Sequence, residues 1–291
     1  MSLSGTNGLS IFLYHRILPE ARFNPLQTIV TVKEFEKQLD SIASRHDIIS
    51  MSEALTRIND KTPFKNHAAL TFDDGYSDNY EIAFPILKKK GIPALFSIVT
   101  NYIGSKRPLW DWEILSLLNR SSRDTQGRGP QCRGISIGKK KLKRRFFEHQ
   151  LAFGYRIIER LKAASLLDIE HVIQQLGGGI PRADRCMNWD EIITLRRHGM
   201  EIASHTLSHR SLARIPSDEA MEEISESKNI IEKNMGTECH YFCFPFGSER
   251  DISDVLRKKT QSAGYLGSLL NIHGTNDMTT DPFGFKRIIM T

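Results

Sequence analysis

Two short stretches of the sequence place acids and histidines at spacings that suit metal binding. In LTFDDGYSDNY an apolar run ends in the adjacent carboxylates Asp73 and Asp74 and a glycine. In GMEIASHTLSHRSL a second apolar run leads to His205 and His209, four residues apart. Imidazoles at this spacing can lie on one side of a helical turn, as paired metal ligands require. One carboxylate and two imidazoles leave coordination positions open and leave the cation a Lewis acid.

The two adjacent aspartates are expected to have different roles. Consecutive residues of a strand point to opposite sides, so one carboxylate can bind a metal while the other stays free. Both follow an apolar run, and α/β folds place their sites at the C-terminal ends of strands. The alternative is a structural Asp-Gly turn in which Asp74 caps the next helix.

A third stretch, YFCFPFG, ends an apolar run in a Pro-Phe-Gly turn. Such a turn would present backbone N–H groups at the same rim, where they could contact an oxyanion. The alternative is an ordinary strand-to-helix turn.

The elements that position these residues alternate between short apolar runs and helical patterns, which favours an α/β fold with parallel strands. The predicted strands are 10–15, 67–72, 94–99, 200–203, 240–243 and 265–269. The predicted helices begin near Thr31, or cover 78–90, 189–198 and 217–235, the last three each ending before a glycine. The segment from about 104 to 186 breaks this alternation and holds a long helical pattern at about 146–176, so we interpret it as an insertion.

The motifs TFDDG, SHTxxHxxL and a strand ending in FPFG, in that order, resemble those of the polysaccharide deacetylases, the NodB-homology or carbohydrate esterase family 4 group. The resemblance extends from about residue 9 to 290. It implies a distorted (β/α)7 barrel, with the helical insertion after the third barrel strand. It also implies a single NodB-homology domain over 1–291, with the insertion at about 104–186.

The resemblance assigns roles to the residues of the three motifs. It implies that Asp73 is the general base and that the metal is bound by Asp74, His205 and His209. The matching backbone amide of the third motif is that of Phe246, which would help to bind the oxyanion.

Two departures from the family pattern concern the third motif and the general acid. Cys243 and Phe244 stand where many members have Arg and Pro, and FPFG resembles the branch that includes the poly-β-1,6-N-acetylglucosamine deacetylases. In that branch the motif order is circularly permuted, and a histidine on the N-terminal strand supplies the acid. His15, in Leu-Tyr-His, matches that position, and His273 is the alternative.

Three further residues are candidates for substrate binding or support. Arg287, in FKRI, is a candidate partner for Asp73 that would replace the missing arginine of the third motif, and the alternative is an ordinary surface or core-edge salt bridge. Trp110 and Trp112, in PLWDWE, could line a sugar-binding groove, since aromatic rings pack on sugar faces. The equal alternative is that both pack the insertion onto the barrel.

Apolar stretches and charge limit the possible binding partners and the cellular location. No stretch approaches the roughly 18 consecutive apolar residues of a membrane span, and the N-terminal segment lacks the basic region of a signal peptide. We therefore expect a cytoplasmic protein, or one at the cell envelope if a leader was removed. The net charge of +6 is concentrated in KKKLKRR at 139–145, which we interpret as a solvated face or as a contact for anionic lipid or glycan. No motif supports nucleic-acid binding, and no protein partner can be inferred.

The four cysteines are too few for a disulfide framework in a chain of 291 residues. Cys239 and Cys243 are four apart, but no other cysteine pair has zinc-finger spacing. We therefore interpret all four, including Cys132 and Cys186, as packing residues.

The sequence thus predicts a metal-dependent hydrolase that removes N-acetyl groups from an amino-sugar polysaccharide or oligosaccharide by cleaving a linear amide C–N bond. Two histidines and one carboxylate suit Zn²⁺, and Co²⁺, Ni²⁺ or Fe²⁺ would also fit. One alternative is a deacetylase or deformylase of a lipid-linked sugar precursor, which would use the same residues. Another is a non-catalytic carbohydrate-binding relative, which would be expected to lack one of the four motif residues.

Overall fold

The computed structural model describes residues 8–20, 23–121, 134–145, 148–178 and 184–291. The chain forms two compact units, of which the first draws on Met1–Gly104 and Cys186–Thr291 and the second on Ser105–Arg185. Cys132 lies outside the described residues, and the other three cysteines are buried. None of the helices in the described ranges combines the length and apolarity that crossing a bilayer requires.

The strands of the described residues are numbered in chain order. They are β1 (Leu9–Tyr14), β2 (Arg16–Leu18), β3 (Ile29–Thr31), β4 (Asp47–Ile48), β5 (His67–Phe72), β6 (Leu95–Ile98), β7 (Gly134–Ile137), β8 (Lys140–Lys143), β9 (Glu201–Ser204), β10 (Tyr241–Cys243), β11 (Gly267–Leu269) and β12 (Ile288–Ile289). The helices are α1 (Val32–Ala43), α2 (Met51–Asn59), α3 (Phe84–Lys90), α4 (Trp110–Ser121), α5 (Gln150–Leu161), α6 (Leu166–Gln175), α7 (Trp189–Arg197), α8 (Ser217–Met235) and α9 (Asp254–Ser262).

The main sheet of the first unit is parallel and runs in the order β11-β10-β9-β6-β5-β1-β12, with β4 also paired to β5. Every residue of β1 and of β5 is buried, as expected of parallel strands that are covered on both faces. The sheet curls into a partial barrel with helices, which confirms the predicted α/β class and its distorted (β/α) barrel form.

One C-terminal segment, residues 285–289, contacts both edges of this sheet. Phe285 forms a parallel bridge with Leu269 of β11, and its N–H donates to the carbonyl of Ser268 at 3.1 Å. A few residues later, β12 pairs with Phe12 and Leu13 of β1. The same short segment therefore contacts β11, at one end of the strand order, and β1, near the other end.

Local sequence signals account for several element boundaries. Thr31 caps α1, and with Glu34 it forms a reciprocal capping box. Gly91 and Gly236 end α3 and α8 in the left-handed conformation, with φ of 66° and 65°. The predicted helix over 78–90 begins instead as a π-helical turn at Asn79–Ala83, and α3 follows it.

The second unit contains α4, α5, α6 and the antiparallel hairpin of β7 and β8. The single helical pattern predicted from about 146 to 176 is two helices in the structure, α5 and α6. Ser165 separates them because its hydroxyl accepts a hydrogen bond from the N–H of Asp168 and caps a new helix, α6.

Candidate active site

The C-terminal ends of neighbouring parallel strands bring the predicted site residues together in the first unit. Tyr14 of β1 pairs with Phe72 of β5, and the N–H of Asp73 donates to the Tyr14 carbonyl at 3.0 Å. His15 therefore leaves the sheet beside Asp73. His205 enters the same rim after β9, where its N–H donates to the Ile98 carbonyl at 2.9 Å.

Asp74, His205 and His209 form a cluster that could hold a metal ion. One ligand atom from each lies within 4.8 Å of the others. Oδ1 of Asp74 is 3.5 Å from Nε2 of His205 and 3.4 Å from Nε2 of His209. The Nδ1 of His205 is 2.7 Å from the carbonyl of Cys243, to which it donates. That bond places the proton on Nδ1 and leaves the Nε2 lone pair for a cation, so these residues fit a divalent metal.

Burial and charge set the protonation of the cluster. Burial lowers the pKa of His209 to about 4, which keeps its imidazole in the neutral, ligating form. Burial also tends to raise the pKa of Asp74, but the hydrogen bond from His205 and the nearby imidazoles outweigh it and lower that pKa. For His205 burial acts to lower the pKa, whereas Asp73 and Asp74 raise it. The two carboxylates therefore favour a positive charge between them.

Four non-glycine residues of the rim have left-handed backbone conformations. The φ angles are 76° at Asp74, 70° at Thr206, 60° at His209 and 61° at Phe246. Such conformations cost on the order of 1–3 kcal/mol each and persist only where the surrounding structure imposes them. Three of the four are predicted metal or oxyanion residues, so the strain is concentrated where the chemistry is expected.

Asp73 is buried and held by two partners. The guanidinium of Arg287 binds both of its carboxylate oxygens, and the hydroxyl of Ser97 donates to Oδ1 at 2.6 Å. Burial alone would raise the pKa of Asp73, but the Arg287 charge, with a smaller contribution from His205, holds it well below its usual range. Asp73 is therefore an ionised carboxylate. It is not one of the three candidate metal ligands, although its Oδ2 is only 4.0 Å from His205 Nε2.

His15 contributes a ring to the same rim. Its Nδ1 is buried and has no hydrogen-bond partner among the described residues. Its carbonyl accepts a hydrogen bond from Nδ2 of Asn79 at 2.6 Å. The charge of His15 contributes to lowering the pKa of Asp73 and of Asp74, which reflects their proximity. His273, the alternative acid, is exposed.

The Pro-Phe-Gly turn after β10 lies against the candidate metal-binding residues. The ring centroids of Phe246 and His209 are 4.9 Å apart. Asn271 fixes the turn, because its Nδ2 donates to the Phe246 carbonyl at 3.3 Å and its N–H donates to the Gly247 carbonyl at 2.8 Å. Only glycine fits at 247, where φ is 53° and an added Cβ would lie 2.7 Å from the Asn271 nitrogen.

Sequence reasoning missed Glu223, which holds the loop between the two histidines. Its Oε2 accepts hydrogen bonds from the N–H groups of Leu207 and Ser208, both at 2.9 Å. Arg210 donates to its Oε1 at 3.0 Å. A signal was present, since Glu223 lies on the buried face of α8, three residues after Ala220 and one before a buried isoleucine.

The three other predicted substrate-binding residues are all buried. Arg287 has no exposed surface, and its guanidinium is engaged by Asp73 and by the Leu270 carbonyl. Trp110 and Trp112 belong to the second unit, where they are 0% and 4% exposed. Because protein atoms cover both rings, neither tryptophan has an exposed face on which a sugar could stack.

Comparison with known proteins gives consistent matches. Residues 60–131 and 156–267 match the profile of a family described as polysaccharide deacetylase. YxkH of Bacillus subtilis (strain 168) is 37% identical over 108 residues, which are 36% of this chain and 37% of that protein. A poly-β-1,6-N-acetyl-D-glucosamine N-deacetylase of Staphylococcus epidermidis is 31% identical over 96 residues, or 33% of this chain and 32% of that protein. The matches thus span about a third of the length of each relative.

Solved structures share the fold. IcaB from Ammonifex degensii superposes with a TM-score of 0.64 at 18% identity, covering 99% of this chain and 93% of that one. The Streptococcus pyogenes deacetylase PplD, solved in complex with acetate, gives a TM-score of 0.63 at 16% identity with the same coverage of 99% and 93%. At these identities the similarity supports the barrel fold and nothing finer.

Proposed function

The chain belongs to the polysaccharide deacetylase family, and from this premise we propose that it is a metal-dependent hydrolase of N-acetyl groups on an amino-sugar polysaccharide or oligosaccharide. The observation that carries the proposal is the cluster of Asp74, His205 and His209 beside the ion-paired Asp73. The Staphylococcus epidermidis relative, named as an N-deacetylase of a glucosamine polymer, supports the choice of an amino sugar.

Asp74, His205 and His209 would hold the divalent cation, and Zn²⁺ is the ion that we expect in this donor set. When bound, the cation supplies Lewis acidity toward the acetyl carbonyl and an attacking water. The Cys243 carbonyl orients His205 for this task through the Nδ1 hydrogen bond. Glu223 keeps the intervening loop in place through two backbone N–H groups.

Asp73 is the general base in this proposal, and it accepts a proton from water as the water oxygen bonds to the acetyl carbon. The backbone N–H of Phe246 donates to the oxyanion that forms. His15 then donates a proton to the sugar nitrogen as the C–N bond breaks. The products are acetate and a free amine on the sugar.

The test combines metal analysis with amine release from N-acetylglucosamine oligomers. Chelator-treated protein should release no amine, and reloading with Zn²⁺, Co²⁺, Ni²⁺ or Fe²⁺ should restore equal amounts of amine and acetate. Asp73→Asn should bind metal as the parent does yet release no amine. Full activity of the chelated protein would refute the metal requirement. Oligomer binding by the metal-loaded protein without amine release would instead identify a carbohydrate-binding protein.

A further inference from the structure

The second unit has a surface that deacetylation does not use, built on the β7–β8 hairpin. Gln175 of α6 fixes this hairpin, because its Oε1 accepts from the Ser136 N–H at 2.8 Å and its Nε2 donates to the Ser136 carbonyl at 2.9 Å. Ile135 of β7 is only 2% exposed and anchors the hairpin in the unit. The basic residues that follow are therefore displayed on a fixed element.

The hairpin presents its positive charge beside a cavity. Lys139, Lys140 and Lys141 are exposed, and two of them line a cavity of about 530 Å³ together with Arg160 of α5. Among the lining residues Asp168 is the acid, and its carboxylate is engaged by the Ser165 hydroxyl at 2.9 Å. The mouth of the cavity thus carries an excess of positive charge suited to an anionic group.

The same surface has an apolar part. The remaining cavity walls are aliphatic, with Ile137 and Leu142 from the hairpin facing alanines of the α5–α6 connection. The first turn of α6 exposes Leu166 by 47% and Leu167 by 72%. Single exposed leucines are ordinary, but these two adjoin the basic hairpin, since a Cβ on Gly138 would lie 3.7 Å from the Asp168 carboxylate in that same turn.

We propose that this hairpin surface, formed by Lys139, Lys140, Lys141, Leu166 and Leu167, docks on a lipid bilayer that carries anionic headgroups. Lysines at such a surface are attracted to the headgroup phosphates, and leucines beside them enter the interfacial region. The cavity beside the lysines has room for one headgroup. An anionic glycan would bind the lysines but would leave both leucines in water, so the lipid is the better match. The inference does not depend on the proposed deacetylation.

The experiment is co-sedimentation of the whole chain with phosphatidylcholine vesicles that contain either no phosphatidylglycerol or about a third of it. Replacement of Lys139, Lys140 and Lys141 by Gln should weaken binding to the anionic vesicles by about a hundredfold, from the attraction of each lysine to the surface. The matched control replaces Lys88, Lys89 and Lys90, at the end of α3, by Gln and should retain binding. Added salt should weaken binding of the parent chain, because it screens exposed charges.

A second pair of variants tests the apolar part. Leu166→Asn with Leu167→Asn should weaken vesicle binding by about tenfold, whereas Val255→Asn with Leu266→Asn, at other exposed apolar positions, should not. Circular dichroism checks that each variant is folded. Equal sedimentation with both kinds of vesicle would overturn the proposal, and so would equal losses in the test and control variants. Unchanged binding by the leucine variant, with competition by a soluble anionic glycan, would assign the surface to a glycan instead.

Discussion

Arg287 donates hydrogen bonds to both carboxylate oxygens of Asp73, with Nη1 2.9 Å from Oδ1 and Nη2 2.7 Å from Oδ2. Neither side chain is more than 3% exposed. Parallel hydrogen bonds of this kind fix the orientation of a carboxylate as well as its charge. Cys243, which stands at the position of the family's third-motif arginine, lies next to this pair, with its sulfur 4.0 Å from Nη1. An arginine from the C-terminal segment thus pairs with the aspartate that we propose as the general base.

Arg287→Gln should lower the free energy of unfolding by about 3–5 kcal/mol, since removal of one partner leaves a buried charge uncompensated. Arg287→Lys should lose less, because it keeps the charge but not the two-point contact. The control is Arg257→Gln, which breaks an exposed pair with Asp281 and should change stability by no more than about 1 kcal/mol. Denaturant titration measures all three, and equal small effects at 287 and 257 would contradict the assigned importance of the buried pair.

The pH dependence of stability should report the same pair in chelator-treated protein. The folded-state pKa of Asp73 lies below its ordinary value, so its ionised form stabilises the fold above about pH 4 and this stabilisation is lost as the pH falls further. Arg287→Gln removes the charge that opposes the effect of burial, so the pKa of Asp73 should rise. The loss of stability as the pH falls should then shrink or reverse. Unfolding free energies from pH 6 to pH 3 give the test, and parallel curves for the parent and the variant would count against it.

His15→Ala should reduce turnover by about 10²–10⁴-fold while leaving the metal content unchanged, as loss of a general acid does. His273→Ala is the matched control, since His273 is exposed and is the other candidate for the acid. Steady-state amine release and metal analysis on the same preparations measure both. A large loss at His273 with none at His15 would reverse the assignment.

Glu223→Gln should weaken metal affinity by about 10–100-fold, as expected for a group that orients ligands from outside the coordination sphere. The physical reason is its pair of bonds to the N–H groups of Leu207 and Ser208, between the two histidines. Glu219→Gln is the control, because Glu219 lies on the same helix and also binds Arg210, whereas the N–H groups of Leu207 and Ser208 donate to Glu223. Competition with a metal-sensitive dye measures the affinities. Equal affinities in both variants would show that Glu223 is not needed to keep the loop in place.

Sequence patterns predicted the central strands and several helices, but α2, α4, α9 and the two-residue strands were not among the predictions. β5 occupies 67–72 as predicted, because a short, mainly apolar stretch between polar residues marks a buried strand. β4 and β12 have two residues each, too few to show any period. The insertion also hid a helix boundary, since the cap at Ser165 is a single residue within a continuous apolar pattern.

The candidate site also has features that residue patterns predict and features that they do not. Asp73, Asp74, His205 and His209 could be predicted as a set because the members of each pair are contiguous or four apart within one motif, and the structure brings ligand atoms of the last three within 4.8 Å of one another. The Cys243 carbonyl that orients His205 could not, because a backbone group has no residue-type signal. Arg287 could be suggested only from the absence of an arginine elsewhere, and its contact with Asp73 depends on packing across 214 residues of chain.

Residues 285–289 join the two sheet edges and carry the partner of Asp73 between the two contacts. During synthesis on the ribosome, this segment emerges after all the other strands of the main sheet. A nascent chain that stops short of it would have an open sheet and a carboxylate with no guanidinium beside it. Translation must therefore pass Arg287 before the Asp73–Arg287 pair can form, which couples the proposed activity to completion of the barrel.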